Sequence, residues 1–290
     1  MRAFSFAWKL TSLLTLCVIG AYAQAGRVID DSMVTRPFRH HVWQAVLTDF
    51  VNCKAEVDFA KLRAHPKRLN DYLGQLAACS PENDPTAFPK ASDKTAYWIN
   101  AHNALALRII LDHYPIATTT HITDLETNIH YQLGGKAYSL KKIRQKLGLY
   151  AKQDPQLLFT LTDYTVGSPR IQREAFEGSS LTRLEKQAVS EGISNPEVIR
   201  IEKAGACTGL QLSPFFKGYE RGLFSRPVAS VEDRDHIPEA GFVPVALTSE
   251  GWVDHLRPFL PPAAYARLGN GCHNAVVFMV RDKNLRQVRF

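Results

Sequence analysis

The chain opens its patterned part at residues 37–53, "PFRHHVWQAVLTDFVNC", where Val42, Ala45, Val46, Asp49 and Phe50 recur at helical spacing. "EVDFAKL", residues 56–62, alternates and predicts a short strand. A second helix follows in "PKRLNDYLGQLAAC", with Pro66 at an early position where its missing N–H is harmless. After a Pro-rich loop, Ser92 or Asp93 caps a third helix over about 94–113, which stops before Tyr114-Pro115. Its apolar side chains point in many directions, the mark of a helix buried on most sides. Seven of them (Trp98, Ile99, Leu105, Leu107, Ile109, Ile110 and Leu111) contribute about 1.5–3 kcal/mol each before entropy is subtracted. Arg108 and Asp112 stand one turn apart, as an ion pair would.

Downstream, "IHYQLGGKAYSL" reads as a hairpin turning on Gly134-Gly135. Ser139 caps "LKKIRQKLG", closed by Gly148. The apolar run "LLFTLT", 157–162, predicts a buried strand. "SSLTRLEKQAVSEG" predicts a capped amphipathic helix, "EVIRIEK" a strand, "SPFFKGYERG" and "EGWVDHLRPFL" helices, and "HNAVVFMV" a last strand. Helices and strands mix without βαβ alternation. The expected fold is therefore α+β: one compact domain, 24–290, around the central 94–113 helix, with a small antiparallel sheet.

The first residues change that picture only by dropping out of it. Residues 1–23 combine basic Arg2 and Lys9, an apolar run from Leu10 to Ala21, and Ala21-Tyr22-Ala23 at a cleavage spacing. The run is short for a bilayer, so a cleaved signal peptide is expected, with a periplasmic or secreted chain and no membrane span in the mature part. Cys17 leaves with the leader. Cys53, Cys79, Cys207 and Cys272 remain, an even number that suggests two disulfides in an oxidising compartment. Three pairings are open, and the sequential one, Cys53–Cys79 with Cys207–Cys272, is favoured. Each bridge would contribute about 2–4 kcal/mol.

Charge alters the partner list modestly. The 35 basic and 28 acidic residues give +7, and loss of Arg2 and Lys9 leaves +5. That balance suits an anionic cell-envelope polymer or an envelope protein as partner, and no nucleic-acid stripe is present.

Several polar constellations sit inside this apolar frame. Asn100 and Asn103 lie one turn apart on the central helix with His102 between them; buried amides there either orient a ligand or satisfy backbone groups of a packed loop, and the second use is the commoner. His102 and His113 are about 16 Å apart along the axis, too far for one metal ion. No HExxH spacing exists, and no metal or cofactor is expected. Ser168, in "TVGSPR", is a candidate nucleophile with Asp163 near it in sequence, although neither a base nor an oxyanion hole is visible. Cys272-His273-Asn274 has the residue types of a thiol hydrolase, yet adjacent strand residues face opposite ways. The candidate catalytic residues are thus Ser168, His102, Asp163 and His273. Asn100, His102, Asn103 and Thr165 are the candidate ligand-binding set.

Trp98-Ile99-Asn100-x-His102-Asn103-Ala104-Leu105 followed by Tyr114-Pro115 resembles the "WINxYNAL…YP" signature of the domain of unknown function 547 family. Val57-Asp58-Phe59, residues 135–140, Leu212-Ser213 with Phe216 and Tyr219, and the terminal "DKNLR" extend the resemblance. The resemblance implies no established reaction. The family's second signature, roughly "HFALxCxSxxCPxL", has the types of a cysteine hydrolase. Here Leu158 stands at its His, Asp163 and Ser168 at its two Cys, and Thr165 at its Ser. His102 replaces the usual Tyr, and Gly218 the usual Trp. A divergent member is implied. The function expected is an exported binding or scaffold protein of the cell envelope, the alternative being an envelope hydrolase with a serine or cysteine nucleophile.

Overall fold

A computed structural model describes residues 37–151, 155–204, 207–219, 225–227, 242–244, 256–260, 262, 276–278 and 284–288. The expected leader, Cys272 and His273 lie outside these residues, as does the side chain of Cys207.

Helix α1 spans His41–Phe50 and buries Trp43, Val46, Leu47 and Phe50, one face of the predicted pattern. Helix α2, Phe59–Ala64, occupies the segment expected as a strand. Only Val57 of that segment pairs as a strand does, with Val51 and Gln287. Asp58 decides the outcome: its carboxylate accepts the Lys61 backbone N–H at 2.8 Å, an N-cap that starts a helix one residue later. Helix α3, Lys67–Ala78, turns Leu69, Tyr72 and Leu76 inward, and Trp43 stacks on Tyr72 with ring centroids 5.5 Å apart.

Helix α4, Ala91–His113, is the spine and ends at the predicted residue. Every residue from Thr95 to Leu107 is buried. Its start lies three residues ahead of the expected one. Asp93 does serve the N-terminus, but from inside the first turn, accepting the Lys90 backbone N–H at 3.0 Å. At the other end Arg108 and Asp112 pair at 2.6 Å. Helices α2, α3 and α5 (Leu140–Ala151) all pack on α4.

Strands β1 (Tyr131–Leu133) and β2 (Lys136–Tyr138) form the predicted hairpin, with Gly134 and Gly135 at φ of 54° and 79°. The turn also closes α3, because the N–H groups of Gly134 and Gly135 donate to the carbonyls of Leu76 and Ala77 at 2.9 and 3.0 Å. That approach leaves no room for a side chain at Gly134, where a Cβ would meet Ser80 Oγ at 2.0 Å. Ser139 accepts from the Lys142 N–H at 3.3 Å as the expected cap of α5, but Gly148 does not stop that helix, which runs on to Ala151.

The run 157–162 is buried as expected, yet it is no strand. Pro155–Thr160 form a 3-10 helix packed against α5 and α6 (Leu181–Ile193). Strands β3 (Ile199–Ala204) and β4 (Cys207–Leu212) pair antiparallel, and β7 (Val276–Phe278) joins β4 in parallel, so this three-stranded sheet is mixed. Strands β5 (Ser225–Pro227) and β6 (Phe242–Pro244) form a further antiparallel pair. Pro214–Tyr219 form a 3-10 helix where a full helix is expected. Of "EGWVDHLRPFL" the described residues are Leu256, which is helical, and Arg257–Phe259, a 3-10 turn, with Leu260 after it; the rest lies outside the described residues. The fold is α+β, helices about α4 with small sheets beside them.

Residues 284–288 lace distant parts of the core together. Asn284 bridges to Thr118, Leu285 to Thr165 and Gln287 to Val57. Leu285 is buried, and Arg286 donates its backbone N–H to Tyr164 O at 2.8 Å and its guanidinium to Val166 O at 2.8 Å.

Candidate functional site

Both asparagines of α4 point into the core, and each uses its amide as a backbone mimic. Asn100 Nδ2 donates to Phe176 O at 2.7 Å, while Phe176 N donates to Asn100 Oδ1 at 3.1 Å. This closed pair fixes the otherwise irregular stretch before α6. Asn103 does the same one turn along: Nδ2 donates to Thr160 O at 2.9 Å, and Oδ1 accepts from Thr162 N at 3.1 Å. The Tyr164 hydroxyl adds a third tie, donating to Asn103 O at 2.9 Å. Side-chain amides offer one donor side and one acceptor side, which is what an unpaired loop backbone requires.

The loop so held, 162–168, is a buried polar knot. Ser168 has no exposed surface; its hydroxyl donates to Thr165 O at 2.9 Å and lies 3.0 Å from Thr162 Oγ1. Asp163 Oδ1 accepts from the Thr165 hydroxyl at 2.7 Å and from Thr165 N at 3.2 Å. Tyr164 sits between them at φ 60°, and the Ser213 hydroxyl donates to Gly167 O. A left-handed tyrosine is uncommon and persists only where its surroundings over-determine it; here Asn103, Thr162 and Arg286 all bind its backbone or hydroxyl.

His102 is fully buried beside this knot. Its Nδ1 lies 3.2 Å from Asn103 Oδ1, an oxygen that can only accept, so Nδ1 carries the proton. Nε2 is then a lone-pair acceptor, and among the described residues it meets no hydrogen-bond partner. Burial, aided by the positive charge of Arg144, lowers the pKa to about 3. A ring so hard to protonate is a poor general base near neutral pH. Among the described residues Ser168 hydrogen-bonds no histidine, so the geometry provides no Ser–His couple.

The sequence-predicted residues therefore fall into two groups. His102, Asn103, Asp163, Thr165 and Ser168 do come together, in one buried network rather than on an open wall, and Asn100 is buried one turn away with its amide on Phe176. Cys53 and Cys79 do not pair. Cys53, exposed in the turn after α1, and Cys79, half-buried at the end of α3, are both free thiols, so the expected Cys53–Cys79 bridge is not formed. Burial and the nearby Asp84 carboxylate raise the Cys79 thiol pKa. Among the described residues no group of three His, Cys, Asp or Glu side chains is placed to hold a metal ion, and no helix is long and apolar enough to cross a membrane.

Sequence reasoning missed Thr160, Thr162, Tyr164 and Ser213 as members of the network. The only signal was the density of hydroxyl residues in "TLTDYTVGS", polar groups set inside a run that is otherwise core.

Residues 87–191 match the family model described as protein of unknown function, DUF547. Over these residues the chain is similar to that family. No curated protein and no solved structure matches it. The matched residues run from the turn before α4 nearly to the end of α6, and so contain both asparagine staples, His102, the 162–168 knot and Phe176. Within them Asn100 and Asn103 direct their amides at backbone groups. Leu158, where the resemblance would place a histidine, is 2% exposed and packs as a core residue.

Proposed function

We propose that the protein is an exported binding or scaffold protein of the cell envelope, with residues 1–23 as its cleaved leader and the DUF547-like segment as a rigid frame. The observation that carries this reading is the use of Asn100 and Asn103. Each amide is spent on the backbone of a segment far away in the chain, and the Ser168 hydroxyl is spent on its own loop. Side chains already satisfied within the core hold structure; they are not held ready for a substrate. The leader pattern and the basic balance support location and partner: an anionic envelope polymer or an envelope protein. In the same reading Cys207 and Cys272 are the pair open to bridging.

The test is fractionation. Expressed in full, the chain should be recovered outside the cytoplasm with its N-terminus near Gln24. Added to purified sacculi at low salt, the mature form should pellet with them and be released by salt. A full-length chain retained in the cytoplasm would overturn the reading.

A further inference from the structure

Apart from Arg144, which is buried and acts on His102, the cations of the chain's densest basic stretch lie outside the core and the polar knot. Between Lys136 and Lys146 five of eleven residues are Lys or Arg (Lys136, Lys141, Lys142, Arg144 and Lys146) and none is acidic. The fold gathers them on β2 and α5. Two carboxylates face them. Glu82 takes Lys146, Lys136 at 3.3 Å and the Tyr138 hydroxyl at 2.5 Å, while Glu126 takes Arg144. Lys141 and Lys142 are exposed and have no carboxylate partner among the described residues.

Two of the cations, Lys142 and Lys146, are also held in place. The Lys142 ammonium stands 4.6 Å from the centre of the Tyr138 ring and donates to Ala137 O at 3.3 Å; Lys146 stands 5.3 Å from the Trp98 ring. Such contacts restrict long side chains that would otherwise move freely, and so lower the entropic cost of presenting them. Among the described side chains of α5 the apolar ones are already used, since Leu140, Ile143 and Leu147 are buried. A helix that binds a lipid surface needs an apolar side free to insert. Among the described side chains of α5, the exposed ones are polar: Lys141, Lys142 and Gln145.

We propose that the β2–α5 face, centred on Lys141 and Lys142, docks a linear phosphate-bearing polymer of the envelope. The contact is electrostatic, so affinity falls steeply with salt, as it does for any polyanion that releases counterions on binding. This rests on the envelope reading above for where the polymer is met, but not for the chemistry of the face.

The probe is fluorescein-labelled inorganic polyphosphate, titrated with the mature chain and followed by anisotropy. Three double variants are compared with the unchanged chain: K141E/K142E, the milder K141Q/K142Q in case charge reversal impairs folding, and K141R/K142R. A control, K54E/K186E, alters the net charge equally at exposed sites on the α1–α2 turn and on α6. The unchanged chain should bind with an affinity that falls about tenfold or more between 50 and 200 mM salt. The Glu and Gln variants should lose most of it, the Arg variant should keep it, and the control should change by less than about twofold. Equal losses in K141E/K142E and the control would overturn the proposal, because net charge alone would then be acting. Tighter binding to phosphatidylglycerol vesicles or to single-stranded DNA than to polyphosphate would overturn it as well.

Sacculus binding separates the two claims. Loss of polyphosphate binding in K141E/K142E with no sacculus binding by the unchanged chain leaves the face standing and fails the envelope reading. Sacculus binding that K141E/K142E leaves intact does the reverse.

Discussion

Asn100 and Phe176, 76 residues apart, hold each other by two hydrogen bonds of 2.7 and 3.1 Å, one in each direction. The same arrangement joins Asn103 to Thr160 and Thr162. With these two staples α4 positions both the knot at 162–168 and the segment leading into α6. The polar groups of the spine are therefore structural partners of loops, and variants at them should read out first in stability.

Replacing Asn100 or Asn103 by Ala leaves one buried backbone donor and one buried acceptor unpaired. Each such group costs about 1–3 kcal/mol, so each variant should lose about 2–6 kcal/mol. Urea unfolding measures this directly, as a lower midpoint with an unchanged slope. Losses under about 0.5 kcal/mol at both positions would mean that the amides are not holding the loops.

Ser168→Ala removes a buried hydroxyl bonded to Thr165 O and near Thr162 Oγ1. The expected cost is about 1–2 kcal/mol of stability. Binding to sacculi, measured well below the unfolding temperature, should be unchanged.

Acid should weaken the fold through two histidines. His40 is buried with Nδ1 2.7 Å from the Tyr72 hydroxyl, and His102 is buried beside Asn103; desolvation lowers both pKa values to about 3. The unfolded chain takes up these protons near the ordinary value of 6.5 while the folded chain does not. Stability from these groups is therefore whole above about pH 6.5 and falls as pH drops from there toward 3. At pH 5 each accounts for a loss of about 2 kcal/mol. Unfolding midpoints at pH 7 and pH 5 should differ accordingly, and His102→Gln should remove about half of the histidine-dependent difference. A pH dependence identical in His102→Gln would show that the ring is not excluded from protonation.

Thiol mapping checks the cysteines. In the folded chain Cys53 should react first with a thiol reagent and Cys79 more slowly, since burial and Asp84 hold its thiol in the protonated form. Peptide mapping of the mature protein should find Cys53 and Cys79 reduced and Cys207 linked to Cys272. A Cys53–Cys79 linkage would contradict the placement of α1 and α3.

Much of the fold was legible because its signals are local. The apolar girth of α4, the Tyr114-Pro115 stop and the Gly134-Gly135 turn all lie within a few residues of what they control. "LLFTLT" misled because a short apolar run suits a buried strand and a buried 3-10 turn equally. "EVDFAKL" misled because two alternating apolar residues outweighed Asp58, whose capping role appears only when the Lys61 N–H is in place. Strand β4 was missed: "CTGLQL" has a glycine and little alternation, and its pairing with β3 and β7 is what defines it. At the site, Asn100 and Asn103 were singled out correctly as residues, but their roles were hidden. Phe176, Thr160 and Thr162 lie 57–76 residues away, and no spacing rule reaches that far.

The central claim is that the buried polar network is a frame and not a reactive centre. Its most direct measurement incubates purified sacculi with the unchanged chain, Asn103→Ala and Ser168→Ala, then analyses pellet and supernatant at a temperature where all three are folded. The account predicts salt-sensitive co-sedimentation for all three with no soluble fragments, although the variants are less stable. Soluble fragments released by the unchanged chain, and lost in Ser168→Ala while that variant remains folded and bound, would contradict it.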